Sequence, residues 1–422
     1  MAEQLGMCVA GSDFERLAAG LRKMSLTSRL LMKVFDDPRR LAAFFRRFRP
    51  IANLRKFWLI SRYDDVMEVL ARDADFPVPF GPKFERLDSA RENFILGMAN
   101  DAKYRAIHAE SVKIFRLEDV PAIGRFAAER AEELVAAGGG VIDAIAGLLT
   151  QVPVDIVGKY YGIPSHDRDF ALWLLAMNFY SFPHLVVNPA VEPAALAGAA
   201  NIGPLVNAAI AQAKVAPSDE STILGRFILA QKDNPQVLTD DVIRATIAGY
   251  MLGFIPTNNR ASGQILRCLL RHSDMMAAAQ AAARTGDDEL LGRVLFEALR
   301  FMPINPGPFR NVAQDTVIAA GQPHARKVPK GALLMVATHS ASFDPRRVPN
   351  PDRFDAYRSL SDTMRFGWGQ HFCTGFRIAL TQITQTFKPL LIRGNIKAVP
   401  GKRGEPEYFG LFFEHLHITY HS

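Results

Sequence analysis

Cysteine is scarce in this chain: Cys8, Cys268 and Cys373 are the three in 422 residues. Three sulfurs this dispersed cannot build a disulfide framework, and they suit a reducing cytosol. Near Cys373 there is no second cysteine and no suitably spaced histidine, which sets a zinc site aside. Long apolar runs are lacking as well. The richest, residues 185–210 beginning at Leu185, is broken by Asn188, Pro189, Pro193 and Pro204, so no membrane span is expected. Residues 1–22 carry Glu3, Asp13 and Glu15 and no clean apolar centre, which argues against a signal peptide. Internal repeats, low-complexity tracts and nucleic-acid motifs are absent. The net charge is +7, but bases and acids are interspersed. That distribution points to an acidic protein partner, or to none, rather than to nucleic acid.

What is present is a globular composition, 49% hydrophobic and 22% charged, in a chain long enough to enclose a bulky cofactor. Residues 57–61 read as a short strand, with Tyr63 opening a helix. Residues 77–100, carrying Pro77, Pro79, Gly81 and Pro82, read as an irregular loop. From Asp101 to Arg300 apolar residues recur at three- and four-residue spacing, which predicts helices. The run 240–271 is apolar almost all round and predicts one long buried helix. After Pro303 the pattern changes to short strands at 316–318 and 333–336. A proline-rich meander at 344–355 follows, and a last helix spans 376–392. No linker divides the chain.

The stretch Phe366-Gly367-Trp368-Gly369-Gln370-His371-Phe372-Cys373-Thr374-Gly375 is the most informative. Its glycines allow tight turning against a flat surface. Cys373 stands just before a helix, where backbone amides favour a sulfur anion. A thiolate held this way suits haem iron as an axial ligand, although a buried structural cysteine is the commoner role for a lone thiol. Cys268 lies in an apolar helical pattern and reads as core, and Cys8 as a bystander.

This segment resembles the haem-binding signature of the cytochrome P-450 family: Phe366, Gly367, Gly369, His371, Cys373, Gly375 and Ala379 fall on pattern positions. The resemblance runs from about Trp58 to the C-terminus. It implies a mainly α fold with a small β component, the single-domain triangular helical fold of that family. Residues 51–422 would form the haem-thiolate catalytic domain, with residues 1–50 as a lead-in packed on it. Haem b (iron protoporphyrin IX) would be the cofactor and Cys373 the iron ligand, with Phe366, Gly367 and Gly375 shaping the loop. Arg310 and His371 are implied as haem-propionate partners. Tyr104 and His108 stand where the family has an H-x-x-x-R motif, a departure. Glu297 and Arg300 match its E-x-x-R motif, and Arg353, in Pro351-Asp352-Arg353-Phe354, is implied as the third member of a structural triad.

In Gly253-Phe254-Ile255-Pro256-Thr257-Asn258 the resemblance places Thr257 on the oxygen-side alcohol, Pro256 on the acid before it, and Gly253 against the haem. A shift of one would put Pro256 on the alcohol instead. The missing carboxylate is the serious departure, for which Asn258, Asn259 or water would have to stand in. Proline here kinks the helix. Phe80, Phe84, Phe94, Ile95, Phe179, Phe182, Leu185, Ile304 and Phe409 are candidate walls of an apolar substrate pocket.

The implied activity is a cytoplasmic monooxygenase acting on a small lipophilic or aromatic molecule, with electrons from an acidic ferredoxin-type donor. Arg365 and Arg377 are the first candidates for docking that donor. A peroxide-using or isomerising haem enzyme, needing no reductase, and a haem sensor are the alternatives.

Overall fold

The computed structural model describes residues 11–23, 37–88, 92–165, 169–182, 188–216, 219–359 and 362–421. Cys8 and Leu185 lie outside the described residues. The chain forms two compact units, each discontinuous in sequence. One comprises Met1–Ser28, Phe80–Gly263 and Arg377–Ser422, and the other Arg29–Pro79 and Gln264–Phe376.

The second unit is built on a four-stranded sheet in the order Ile51–Asn53, Trp58–Ile60, Leu333–Val336, Phe309–Asn311. Trp58–Ile60 pairs antiparallel with Ile51–Asn53 and parallel with Leu333–Val336, aligning Trp58 with Leu334. Its core gathers Ile60, Val66, Val69, Leu70, Phe76, Leu334 and Val336, and Trp368 of the cysteine loop packs against it. In the same unit the helix Asp288–Phe301 buries Leu291, Val294, Leu295 and Leu299 together with Glu297 and Arg300. Cys268 is fully buried with its sulfur 3.7 Å from that of Met275, and burial pushes its thiol up to about 12. It is a core residue, as its pattern predicts.

The first unit is mainly helical, with a three-stranded sheet in the order Val141–Asp143, His417–Thr419, Lys397–Ala398 and a two-stranded one of Glu407–Phe409 and Phe412–His415. The long helix runs Asp240–Arg271, the span expected, and its residues from Gln264 onward belong to the second unit. Two expectations are corrected here. The stretch 77–100 is not all loop: Gly81–Leu87 is helical and Ile95–Gly97 forms a 3-10 turn. Pro82 sits in the first turn of the former, where a missing N–H costs nothing.

Pro193 and Pro204 also fail to break the run, because Val191–Val215 is one continuous helix, whereas Asn188 and Pro189 lie before it. Pro204 and Ala200, whose carbonyl it leaves without a backbone donor, are both exposed, so water can take the bond. By length and composition this helix could cross a membrane, although 44% of its most apolar window is buried inside protein. Its small residues explain the burial. A Cβ on Gly198 would stand 2.8 Å from the carbonyl oxygen of Trp173 in the neighbouring helix Phe170–Ser181.

Two glycines of this helix therefore respond oppositely to the same change. Gly198→Ala must separate the two helices and should lose about 1–3 kcal/mol. Gly203→Ala meets nothing within 4 Å and should gain up to about 1 kcal/mol from helix propensity. Thermal denaturation of the two variants checks the opposite signs.

Candidate active site

The cysteine loop is a turn fixed by its own backbone. The N–H of Cys373 donates to the carbonyl of Phe366 at 2.9 Å, and that of Phe372 to the carbonyl of Gly369 at 3.0 Å. Gly367 and Gly369 adopt φ of 80° and 70°, the left-handed region that favours glycine. A Cβ on Gly369 would also stand 2.7 Å from the carbonyl oxygen of Leu70. Phe366 lies on Phe296 and Phe376, with ring centroids 5.7 and 6.0 Å apart. Burial pushes the Cys373 thiol up, and the backbone N–H of Gly375 pulls it the other way. A donor aimed at sulfur favours the thiolate.

Arg310 is 4% exposed and donates to the carbonyl of Phe309 at 2.8 Å. Burial pulls its pKa down to about 10, and the charge of Asp73 opposes the fall. A buried guanidinium with so little compensation fits a bound carboxylate such as a haem propionate. His371 is close by in sequence to the cysteine, and its Nε2 lies 3.0 Å from Asp73 Oδ1. Asp73 is a residue the motifs did not single out. Gly375 has open space beside its Cα. These features fit haem bound through Cys373.

Glu297 and Arg300 form a bidentate pair at 2.7 and 2.9 Å, both fully buried. Arg300 donates on to the carbonyls of Pro351 and Arg353 at 2.7 and 3.2 Å, which fastens the meander. The third guanidinium is a correction. Arg353 is exposed and contributes only its carbonyl, whereas buried Arg358 reaches Glu297 Oε1 at 3.3 Å and the carbonyl of Pro349 at 2.9 Å. Arg365 is corrected too. Its Nε donates to Thr363 Oγ1, its Nη1 is buried, and burial pulls its pKa down to about 10. It belongs to this buried cluster, while Arg377 is exposed.

In the first unit, Thr257 donates its hydroxyl proton to the carbonyl of Gly253, and a Cβ on Gly253 would meet nothing within 4 Å. Pro256 is buried one residue earlier. Neither asparagine is free to replace the missing acid. Asn259 brackets Phe413, donating to its carbonyl at 2.8 Å and accepting from its N–H at 3.1 Å. Asn258 donates to the carbonyl of Phe254 at 2.8 Å and accepts from Gln382.

Tyr104 and His108 stack on one face of the helix Ala102–Ile114, ring centroids 5.6 Å apart. Of the candidate walls, Phe80 meets Phe182, and Phe94 meets Phe84 and Tyr250, in one aromatic cluster. Phe84, Phe94, Met177, Gly249 and Leu252 line a cleft there. Phe179 lies over Gly410, and Phe409 is wholly buried beneath Arg22. Ile304 is half-buried in the second unit.

Comparisons with known proteins bear on the fold and the family. A family profile described as Cytochrome P450 matches residues 207–415. The vitamin D(3) 25-hydroxylase of Pseudonocardia autotrophica is 25% identical, over 76% of this chain and 76% of its own. The mycinamicin IV hydroxylase/epoxidase of Micromonospora griseorubida is 25% identical, over 83% and 84%. Among solved structures, CYP109E1 from Bacillus megaterium in complex with testosterone superposes with a TM-score of 0.77 at 20% identity, covering 92% of this chain and 99% of its own.

The buried ion cluster yields a test of its membership. Glu297→Ala strands two buried guanidiniums and should cost about 3–5 kcal/mol, and Arg300→Ala and Arg358→Ala, which each leave Glu297 one buried partner, should cost about 1–3 kcal/mol. Arg353→Ala should cost less than about 1 kcal/mol. Equilibrium denaturation of the four variants separates the three groups.

Proposed function

This chain belongs to the cytochrome P450 family, and from that premise we propose that it is a monooxygenase. It inserts one oxygen atom of dioxygen into a small lipophilic or aromatic molecule. The relatives are named as hydroxylases and epoxidases, which favours oxygen insertion over the peroxide-using and isomerising alternatives. Haem b, when bound, supplies the dioxygen-splitting chemistry, and an axial thiolate assists it.

The observation that carries the reading is the Cys373 turn, in which the N–H of Cys373 is held on the carbonyl of Phe366 and Gly367 and Gly369 take left-handed conformations. Cys373 holds the iron. Arg310 offers an under-compensated buried charge to a propionate, and His371 is its partner in that role, steadied by Asp73. Tyr104 and His108 serve as further polar contacts to the cofactor. Thr257 keeps a hydroxyl proton on the carbonyl of Gly253 and acts as the proton-delivery residue, with water replacing the acid that Pro256 displaces.

Phe80, Phe94, Phe179, Ile304 and Phe409 supply apolar walls. Residues 51–422 act as one catalytic domain with 1–50 as its lead-in. An acidic ferredoxin-type donor docks near the cysteine loop beside exposed Arg377. The three dispersed cysteines suit the cytoplasm.

Thiolate ligation is tested by the carbon monoxide complex of the reduced protein. Wild type and Cys268→Ser should show the strongly red-shifted Soret band, and Cys373→Ser should lose it. Loss in Cys268→Ser alone overturns the assignment. Proton delivery is tested with any compound that a Soret titration shows to bind, under reduction by ferredoxin and its reductase. Thr257→Ala should release more hydrogen peroxide and form several-fold less product per reduced cofactor. An unchanged ratio removes Thr257 from the role.

A further inference from the structure

The long helix contains a buried proline, and a buried proline leaves a hydrogen bond unmade. Pro256 has no N–H, so the carbonyl of Leu252, four residues earlier, loses its usual donor. Leu252 and Pro256 are both buried, so water cannot repair the loss as it can beside exposed Pro204. An unpaired buried carbonyl is strongly disfavoured.

The donor comes from another helix. Asn178 Nδ2 lies 2.9 Å from the Leu252 carbonyl oxygen. Only the NH2 end of an amide can face a carbonyl, so the orientation of the side chain is determined. Asn178 is 6% exposed, in a helix whose buried neighbours Leu174, Leu175, Met177 and Phe179 are apolar. A polar side chain at that position is costly unless it has such a partner. The carbonyl it holds lies one residue before Gly253, whose own carbonyl accepts the Thr257 proton.

We propose that Asn178 is a positioning residue: its amide caps the carbonyl freed by Pro256 and thereby holds the turn that presents the Thr257 hydroxyl. The inference rests on the proton-delivery reading of Thr257. It couples the geometry of that hydroxyl to the helix Phe170–Ser181, which carries the pocket candidate Phe179.

The test is a double-mutant cycle on the haem-loaded enzyme, because Pro256→Ala returns a backbone N–H to Leu252 and makes the cap redundant. Asn178→Leu keeps the side-chain shape and removes the donor. It should lower the thermal midpoint in the wild-type background by several degrees and by little in the Pro256→Ala background. Equal losses in both backgrounds, or no loss in either, overturn the cap. If Asn178→Leu alone does not accumulate as folded protein, accumulation of the double variant supports the cap, and failure of both overturns it.

The second readout uses carbon monoxide as the probe. The infrared C–O stretch of its complex with the reduced haem reports hydrogen-bond donors near the ligand, and loss of thermal stability alone does not move it. Asn178→Leu should shift or broaden that band in the direction of Thr257→Val, and the effect should vanish in the Pro256→Ala background. A band moved by Thr257→Val but untouched by Asn178→Leu overturns the positioning role. A band indifferent to Thr257→Val overturns the proton-delivery reading instead, and the thermal cycle then decides the cap by itself.

Discussion

A charge removed from water has to be neutralised by neighbours that are already in place, and Glu297 with Arg300 is where this chain meets that demand most fully. Both side chains are fully buried, and every direction in which the guanidinium points ends on an acceptor: two carboxylate oxygens and the carbonyls of Ser342, Pro351 and Arg353. Removing the carboxylate would strand a charge, and removing a carbonyl would leave a buried N–H unpaired. The meander is therefore held from its backbone rather than by its exposed side chains. The cysteine loop comes further along the chain and is tied to the same helix by Phe366, whose ring lies on that of Phe296.

The loop adds constraints of its own. Two glycines take left-handed conformations, and Gly369 has no room for a side chain beneath Leu70. Phe366 and Trp368 anchor the turn to apolar neighbours on either side. The sulfur is thus positioned by covalent geometry and packing.

Much of this was legible in the chain itself. The boundaries of Asp240–Arg271 follow from its apolar periodicity, and Glu297, Arg300 and Cys373 stand in motifs whose spacing is their chemistry. What could not be read was burial at a distance. Arg353 fits a local motif and Arg358 does not, yet the fold buries the latter. Arg365 counts as a surface base in sequence and lies inward in space. Pro204 and Pro256 are the same residue type in two helices, and only the surroundings tell which freed carbonyl meets water and which meets Asn178. A single asparagine in an apolar helix is a visible anomaly, but its partner is 74 residues away.

The close approach at Gly198 gives the first unit an uneven stiffness. With a backbone oxygen standing where a methyl group would go, Phe170–Ser181 and Val191–Val215 have no slack between them and behave as one plate. A force applied to either is carried by both. Asn178 is a rivet in that plate, set into the carbonyl of Leu252, so the two helices together are pinned to a single peptide unit of the long one.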